Sequence, residues 1–136
     1  MKKGIRAHDI CADGFENVIK RFRKMGFSQM QLVLEKSLAD FKFGNFSPEY
    51  AAGIRKMLGD TEIAVLGSYI NPSSADDSEL KAEIAKFKEK IKYASILKPL
   101  VVGTETGFYK DDNNSKKAYL RLLSTMRVLA AEAEKY

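Results

Sequence analysis

The sequence predicts an α/β fold of four βα units, and three observations carry that prediction. Short apolar segments alternate with longer stretches whose apolar residues recur every three or four positions, the mark of strands exchanging with amphipathic helices. Ile63 to Ile70 is a nearly continuous apolar run bounded by Asp60 and by Asn71-Pro72, as in a strand that helices cover. The chain has 136 residues, room for one hydrophobic core, so residues 1–136 read as one domain.

The first unit opens with Gly4 to Asp9, too short for a stable helix and readable as a strand. A helix follows, with Asp13 as its expected cap; Phe15, Val18, Ile19, Phe22 and Met25 form the apolar stripe, and Gly26 stops it. Ser28 to Leu34, SQMQLVL, mixes polar and apolar residues as a strand beside a polar interior would. The connection Glu35 to Phe46 is long and carries Phe41, Phe43 and Phe46 around Gly44. Two readings fit it: an aromatic lid over a ligand, and a loop tucking its rings onto the core.

Ser47, then Pro48 and Glu49, supplies an N-cap with proline at the first helical position, and Tyr50, Ala51, Ile54, Met57 and Leu58 carry the helix to Gly59. After the Ile63 to Ile70 strand a third helix is expected from about Asp77 to Leu97, with Leu80, Ile84, Phe87, Ile91 and Ala94 on its buried face and lysine and glutamate on the other. Pro99 is tolerable at a strand entrance, Leu100 to Thr106 supplies that strand, and Lys110 to Ser115 is a polar turn. In the last helix Ser115 is the candidate cap and Tyr119, Leu122, Leu123, Met126, Leu129, Ala130 and Ala133 the expected buried side. Strands that alternate with helices in this way are parallel and joined by crossovers. The pattern leaves open whether the sheet is complete or belongs to a larger closed barrel.

Composition removes several classes of function. With 45% apolar and 30% charged residues the chain is neither disordered nor membrane-spanning in character, and no window approaches the roughly 18 to 20 apolar residues of a spanning helix. Without a secretory signal pattern in MKKGIRAHDICADGF, the cytoplasm is the expected address. Cys11 is the single cysteine, which excludes an internal disulfide and a zinc site of several thiolates. The net charge of +5 is spread among mixed charges, and the densest basic cluster, Lys20, Arg21, Arg23 and Lys24, falls at helical spacing, so no nucleic-acid partner is expected. There is no Walker loop and no GxGxxG.

At LGSYINP, residues 66 to 72, and VVGTETG, residues 101 to 107, the chain resembles the sugar phosphate isomerase/epimerase superfamily, whose members share the xylose isomerase-like TIM barrel. The opening GIRAHD, the MQLVL strand and the order of the later motifs agree with the first half of such a barrel, and the likeness covers nearly the whole chain. The resemblance implies four βα units forming half of a (β/α)8 barrel. It also implies a small sugar or sugar-phosphate ligand and a divalent metal, manganese, magnesium, cobalt or zinc, in the complete enzyme. The family's principal metal carboxylates and histidine lie on later strands, so no metal ligand is assigned within residues 1 to 136.

Carried over position by position, the resemblance implies a substrate-facing role for His8 at the end of the first strand, Gln31 on the second, Tyr69 and Asn71 after the third, and Glu105 after the fourth. Active sites of these barrels form at the C-terminal strand ends. His8 can bind a sugar hydroxyl or move a proton near neutral pH, and Glu105 is the candidate catalytic carboxylate. Tyr69 can stack on a sugar ring, while Asn71 offers a donor and an acceptor to a polyol. Each has a structural alternative: a packed histidine, a rim charge, a ring beneath a loop, an Asn-Pro turn and a strand-packing glutamine. Isomerisation needs an opposing acid or base and a closed pocket that these residues alone do not supply. The expectation is therefore the N-terminal portion of an isomerase or epimerase, inactive by itself; the alternative is a half-barrel that associates with itself and binds carbohydrate or another protein.

Overall fold

The computed structural model describes residues 2–107 and 115–136. Four strands, β1 (Gly4–Arg6), β2 (Gln29–Leu32), β3 (Glu62–Gly67) and β4 (Val101–Gly103), form one parallel sheet in the order β1-β2-β3-β4. The helices are α1 (Phe15–Lys24), α2 (Leu34–Ser37), α3 (Pro48–Leu58), α4 (Asp77–Leu97) and α5 (Ser115–Ala133). The expected βα alternation holds, with the single turn α2 and two 3-10 turns added in the loops. Every strand is shorter than its apolar run. The chain leaves β1 at a 3-10 turn over Ala7–Asp9, and β3 ends at Gly67 although apolar sequence continues to Ile70. The polar turn expected at Lys110–Ser115 lies outside the described residues up to Ser115, which opens α5.

The chain divides into two units, Met1–Gly67 with Tyr93–Gly103, and Ser68–Lys92 with Thr104–Tyr136. The first holds the whole sheet. Register puts Ile5, Met30 and Ile63 in one row across it, and Leu32, Leu66 and Val102 in another. Met30, Leu32, Ile63 and Leu66 are wholly buried there, in one core with Phe15, Val18, Ile19 and Phe22 of α1 and Ala51, Ile54 and Leu58 of α3. The opposite face carries Gly4, Gln29 and Glu62 in one row and Arg6, Gln31, Val65 and Val101 in the next. A bulge at Ala64, the residue skipped when Met30 pairs with Ile63 and Gln31 with Val65, keeps Val65 and Leu66 in phase with β2.

Local chemistry accounts for both ends of α3. Ser47 Oγ accepts the Tyr50 N–H at 3.2 Å and Pro48 opens α3, as its sequence requires. Gly59, at φ +54°, closes the same helix with its N–H donated to the Arg55 and Lys56 carbonyls. The cap of α1 differs from expectation: Gly14 takes that position with no side-chain bond, and Asp13 instead offers its carbonyl to Asn17 Nδ2. Met25, expected on the buried stripe, is 55% exposed because the helix has already ended at Lys24. The basic cluster of α1 is a solvated face, from which Arg21 donates to the Cys11 carbonyl and Arg23 to the Leu58 carbonyl.

The phenylalanines after α2 tuck onto the core. Phe41 and Phe46 are buried, Phe46 meets Tyr93 edge to face with ring centroids 4.4 Å apart, and Phe43 stacks its edge on Phe41 at 5.2 Å.

In the second unit Asp76 Oδ1 accepts the Ser78 and Glu79 N–H groups at the head of α4, and Glu79 in turn accepts from Ser74 Oγ. Arg121 of α5 donates to the Ser74 carbonyl and pairs with Asp77, while Lys88 pairs with Glu132. These bonds tie α5 to α4, and the expected stripe holds in part: Leu129 is buried and Leu122 and Leu123 are half-buried, while Tyr119, Met126, Ala130 and Ala133 are exposed and Thr125, off the stripe, is buried. Lys90, expected on the polar face of α4, is fully buried.

Candidate functional site

The candidate residues fall into two groups, one in each unit. In the first, β1 delivers His8 through the 3-10 turn, and β2 carries Gln31 beside Arg6 in register. The His8 side chain is 13% exposed, with Nε2 4.0 Å from Asp9 Oδ1. Burial lowers the His8 pKa below its ordinary 6.5; the Asp9 carboxylate works against this, and Lys36 and Arg6 reinforce it. The imidazole is consequently neutral at neutral pH, able to donate through one nitrogen and accept through the other. Gln31 is half-buried and stands on the face of the sheet that the main core does not occupy.

Sequence reasoning did not anticipate a cavity of about 280 Å³ formed by the loops that follow β1 and β2, lined by Ala12, Gly14, Val18, Glu35 to Ala39 and Phe41. No local motif announces it, because its walls come from segments some twenty residues apart.

In the second unit Tyr69 and Asn71 follow β3, and Glu105 follows β4. Tyr69 is half-buried and the Glu105 residue exposed. Asn71 is built into the loop. Its N–H donates to Glu83 Oε2 at 3.3 Å, and its Oδ1 accepts from the Ser73 N–H at 3.4 Å. The Ser73 hydroxyl lies 3.1 Å from Asn71 Oδ1 and 3.3 Å from the Thr106 carbonyl, so one proton serves two acceptors. Gly107, at φ +90°, completes the junction: a β-carbon there would fall on Asn71 Oδ1 and stand 2.6 Å from Ser73 Oγ. The post-β3 and post-β4 loops are thereby joined one residue from Glu105. Ser73 and Glu83 are the participants the sequence reading missed; the Asn-Pro pair signalled a turn without indicating what would hold it.

Among the described residues no group of three or more histidine, cysteine, aspartate or glutamate side chains could hold a metal ion, so these residues do not fit a resident divalent cation. No helix among them is long and apolar enough to cross a membrane.

No protein-family model and no curated protein matches the chain. Solved structures do. A D-psicose 3-epimerase crystallised in the presence of D-fructose superposes with a TM-score of 0.72 at 21% identity, over 99% of this chain and 49% of that one. D-Psicose 3-epimerase with D-tagatose, from Clostridium cellulolyticum H10, gives a TM-score of 0.73 at 19% identity with the same coverage. At these identities the likeness shows the fold: the four βα units match half of a TIM barrel, and the chain spans about half the length of the epimerases it matches.

Proposed function

We propose that this chain supplies half of a barrel that isomerises or epimerises a small sugar or sugar phosphate, and that it does not turn over substrate alone. The observation that supports the reading is the superposition of nearly the whole chain on half of two sugar epimerases. In this reading each unit brings its own candidates: in the first, neutral His8 and the Gln31 amide offer hydrogen bonds to hydroxyl groups; in the second, Tyr69 offers a ring for stacking on a sugar and exposed Glu105 a carboxylate that can move a proton beside a carbonyl. Asn71 offers its side-chain N–H groups to the sugar, because its Oδ1 is already engaged by Ser73. A divalent metal, which would polarise the sugar oxygens, belongs to residues outside those described here.

Isothermal calorimetry of the chain with D-fructose, D-tagatose and D-psicose tests this. Weak binding that Glu105→Gln and His8→Gln both reduce supports the reading. Absence of heat with all three sugars, or binding indifferent to both substitutions, counts against it. Turnover by the chain alone, followed by chromatography of the sugars, would contradict the second half of the proposal.

A further inference from the structure

We propose that Ser73 is a positioning residue: its buried hydroxyl holds Asn71 and the segment that carries Glu105 together, so that the Asn71 amide N–H2 and the Glu105 carboxylate are set for one ligand. The inference deepens the reading above and rests on its choice of Asn71 and Glu105 as sugar-binding groups. Ser73 acts through these two residues and does not itself touch the ligand.

Every polar group of Asn71 but one is already used. Its N–H donates to Glu83 Oε2 at 3.3 Å, its carbonyl accepts the Ser74 N–H at 3.3 Å, and its Oδ1 accepts the Ser73 N–H at 3.4 Å with Ser73 Oγ 3.1 Å away. A backbone N–H can only donate, so the side-chain atom that faces Ser73 is the oxygen, and the N–H2 is turned away from it. Among the described residues no group accepts a hydrogen bond from that N–H2, and Asn71 is half-buried. The side chain is thereby fixed as a pair of donors, and the ligand atom it suits is an oxygen with a lone pair, a hydroxyl or a carbonyl.

Ser73 also reaches the loop after β4. It is 3% exposed, and its hydroxyl lies 3.3 Å from the Thr106 carbonyl. Among the described residues this is the hydrogen bond that ties residues 105–107 to another segment, since Thr104 Oγ1 bonds only the Glu105 carbonyl beside it. Gly107 closes on the same place, where a β-carbon would stand 2.6 Å from Ser73 Oγ. One hydroxyl therefore bears on the orientation of the Asn71 donors and on the placement of Glu105, whose neighbour Thr106 it holds. Its removal loosens both at once.

Titration of the full chain with D-psicose, followed by the NMR signals of its backbone and side-chain amides, tests this. The Asn71 side-chain signals, identified by their loss in Asn71→Asp, are expected to shift as the sugar binds. Aspartate keeps the acceptor that the turn needs and presents no donors, so Asn71→Asp is expected to weaken binding while the protein stays folded. Ser73→Ala is expected to weaken binding by about three- to tenfold, the loss of one hydrogen bond expressed as affinity. In the Ser73→Ala background Asn71→Asp and Glu105→Gln should each weaken binding less than in the parent, because the arrangement they complete is already loosened. Equal costs in both backgrounds overturn the proposal, and so does binding indifferent to Ser73→Ala.

The ligand-free protein supplies a second measurement. The heteronuclear NOE of the Asn71 side-chain amide is expected to match that of the backbone, and to fall in Ser73→Ala toward the value of exposed Asn45. An Asn71 amide as mobile as that of Asn45 in the wild type overturns the positioning role, even if a variant does not fold. If D-psicose, D-fructose and D-tagatose all fail to bind, the sugar reading is rejected and the ligand-free measurement decides Ser73. Sugar binding that Asn71→Asp and Glu105→Gln weaken, but Ser73→Ala leaves unchanged, keeps that reading and rejects this inference alone.

Discussion

The side-chain amide of Gln31 borders the space beside Gly67: its Nε2 stands 3.4 Å from the point a β-carbon on Gly67 would occupy, and Val33 Cγ2 lies 2.8 Å from the same point. Val33 is 1% exposed and β-branched, so it has little freedom to withdraw. Gly67→Ala is therefore expected to cost about 1–3 kcal/mol, as overpacking in a well-filled site does. Urea denaturation checks this, and a double-mutant cycle checks the cause: in a Val33→Ala background the same substitution should cost less. Equal costs in the two backgrounds would remove Val33 from the explanation.

The junction between the post-β3 and post-β4 loops yields a ranking. Ser73→Ala removes one hydroxyl shared between Asn71 and the Thr106 carbonyl, leaves the Ser73 N–H on Asn71, and is expected to cost about 0.5–1.5 kcal/mol. Gly107→Ala must both strain a backbone at φ +90° and displace Asn71, so it is expected to cost more than Ser73→Ala. Calorimetric melting of the two variants tests the order. A Gly107→Ala protein as stable as the parent would show that the loops are not clamped there.

How much of this was legible in the sequence depends on where the deciding interaction lies. The start of α3 was legible because Ser47 and Pro48 act on neighbours within one turn. The four strands were legible from their apolar runs, but not their ends: β3 stops at Gly67 because its pairing with β2 ends at Leu66 and with β4 at Gly67, and pairing is a property of other segments. The face of α5 was read only in part, with Leu129 buried and Leu122 and Leu123 half-buried as expected but Tyr119, Met126, Ala130 and Ala133 exposed. Its apolar residues do not tell which of them are covered, and the bonds of Arg121 to Ser74 and Asp77 and of Glu132 to Lys88 reach into other segments. The involvement of Asn71 with Ser73 is only two residues long and was in principle readable; the closing contact with Gly107 was not.

His8 gives a pH dependence with a definite sign. Its folded-state pKa lies below 6.5, so between those two values the unfolded chain binds the proton more readily. Stability contributed by the neutral, buried imidazole is complete above pH 6.5 and is lost as pH falls through the folded-state pKa. Denaturation midpoints are expected to decline as pH drops below 6.5, and His8→Gln should flatten that part of the curve. The lowered carboxyls of Glu49, Glu62 and Glu132 contribute a separate loss, below 4.5, that the substitution leaves intact. A His8→Gln protein with an unchanged slope just below pH 6.5 would contradict the assignment.

Helix α5 separates burial from hydrophobicity. Leu129 is 2% exposed, while Tyr119 is 58% and Met126 41% exposed, although all three lie on the apolar pattern of the sequence. Leu129→Ala is expected to cost about 2–5 kcal/mol, since it empties a filled site. Tyr119→Ser and Met126→Ser are expected to change stability by about 0.5 kcal/mol or less, as surface substitutions do. Arg121→Ala, which releases the helix from the Ser74 carbonyl and Asp77, should make the two sets of costs more alike by loosening the rotation that distinguishes them. Chemical denaturation of the single and double variants measures this. Large losses from Tyr119→Ser or Met126→Ser in the Arg121 parent would mean that the face read from periodicity, and not the face fixed by these bonds, is the one that α5 buries.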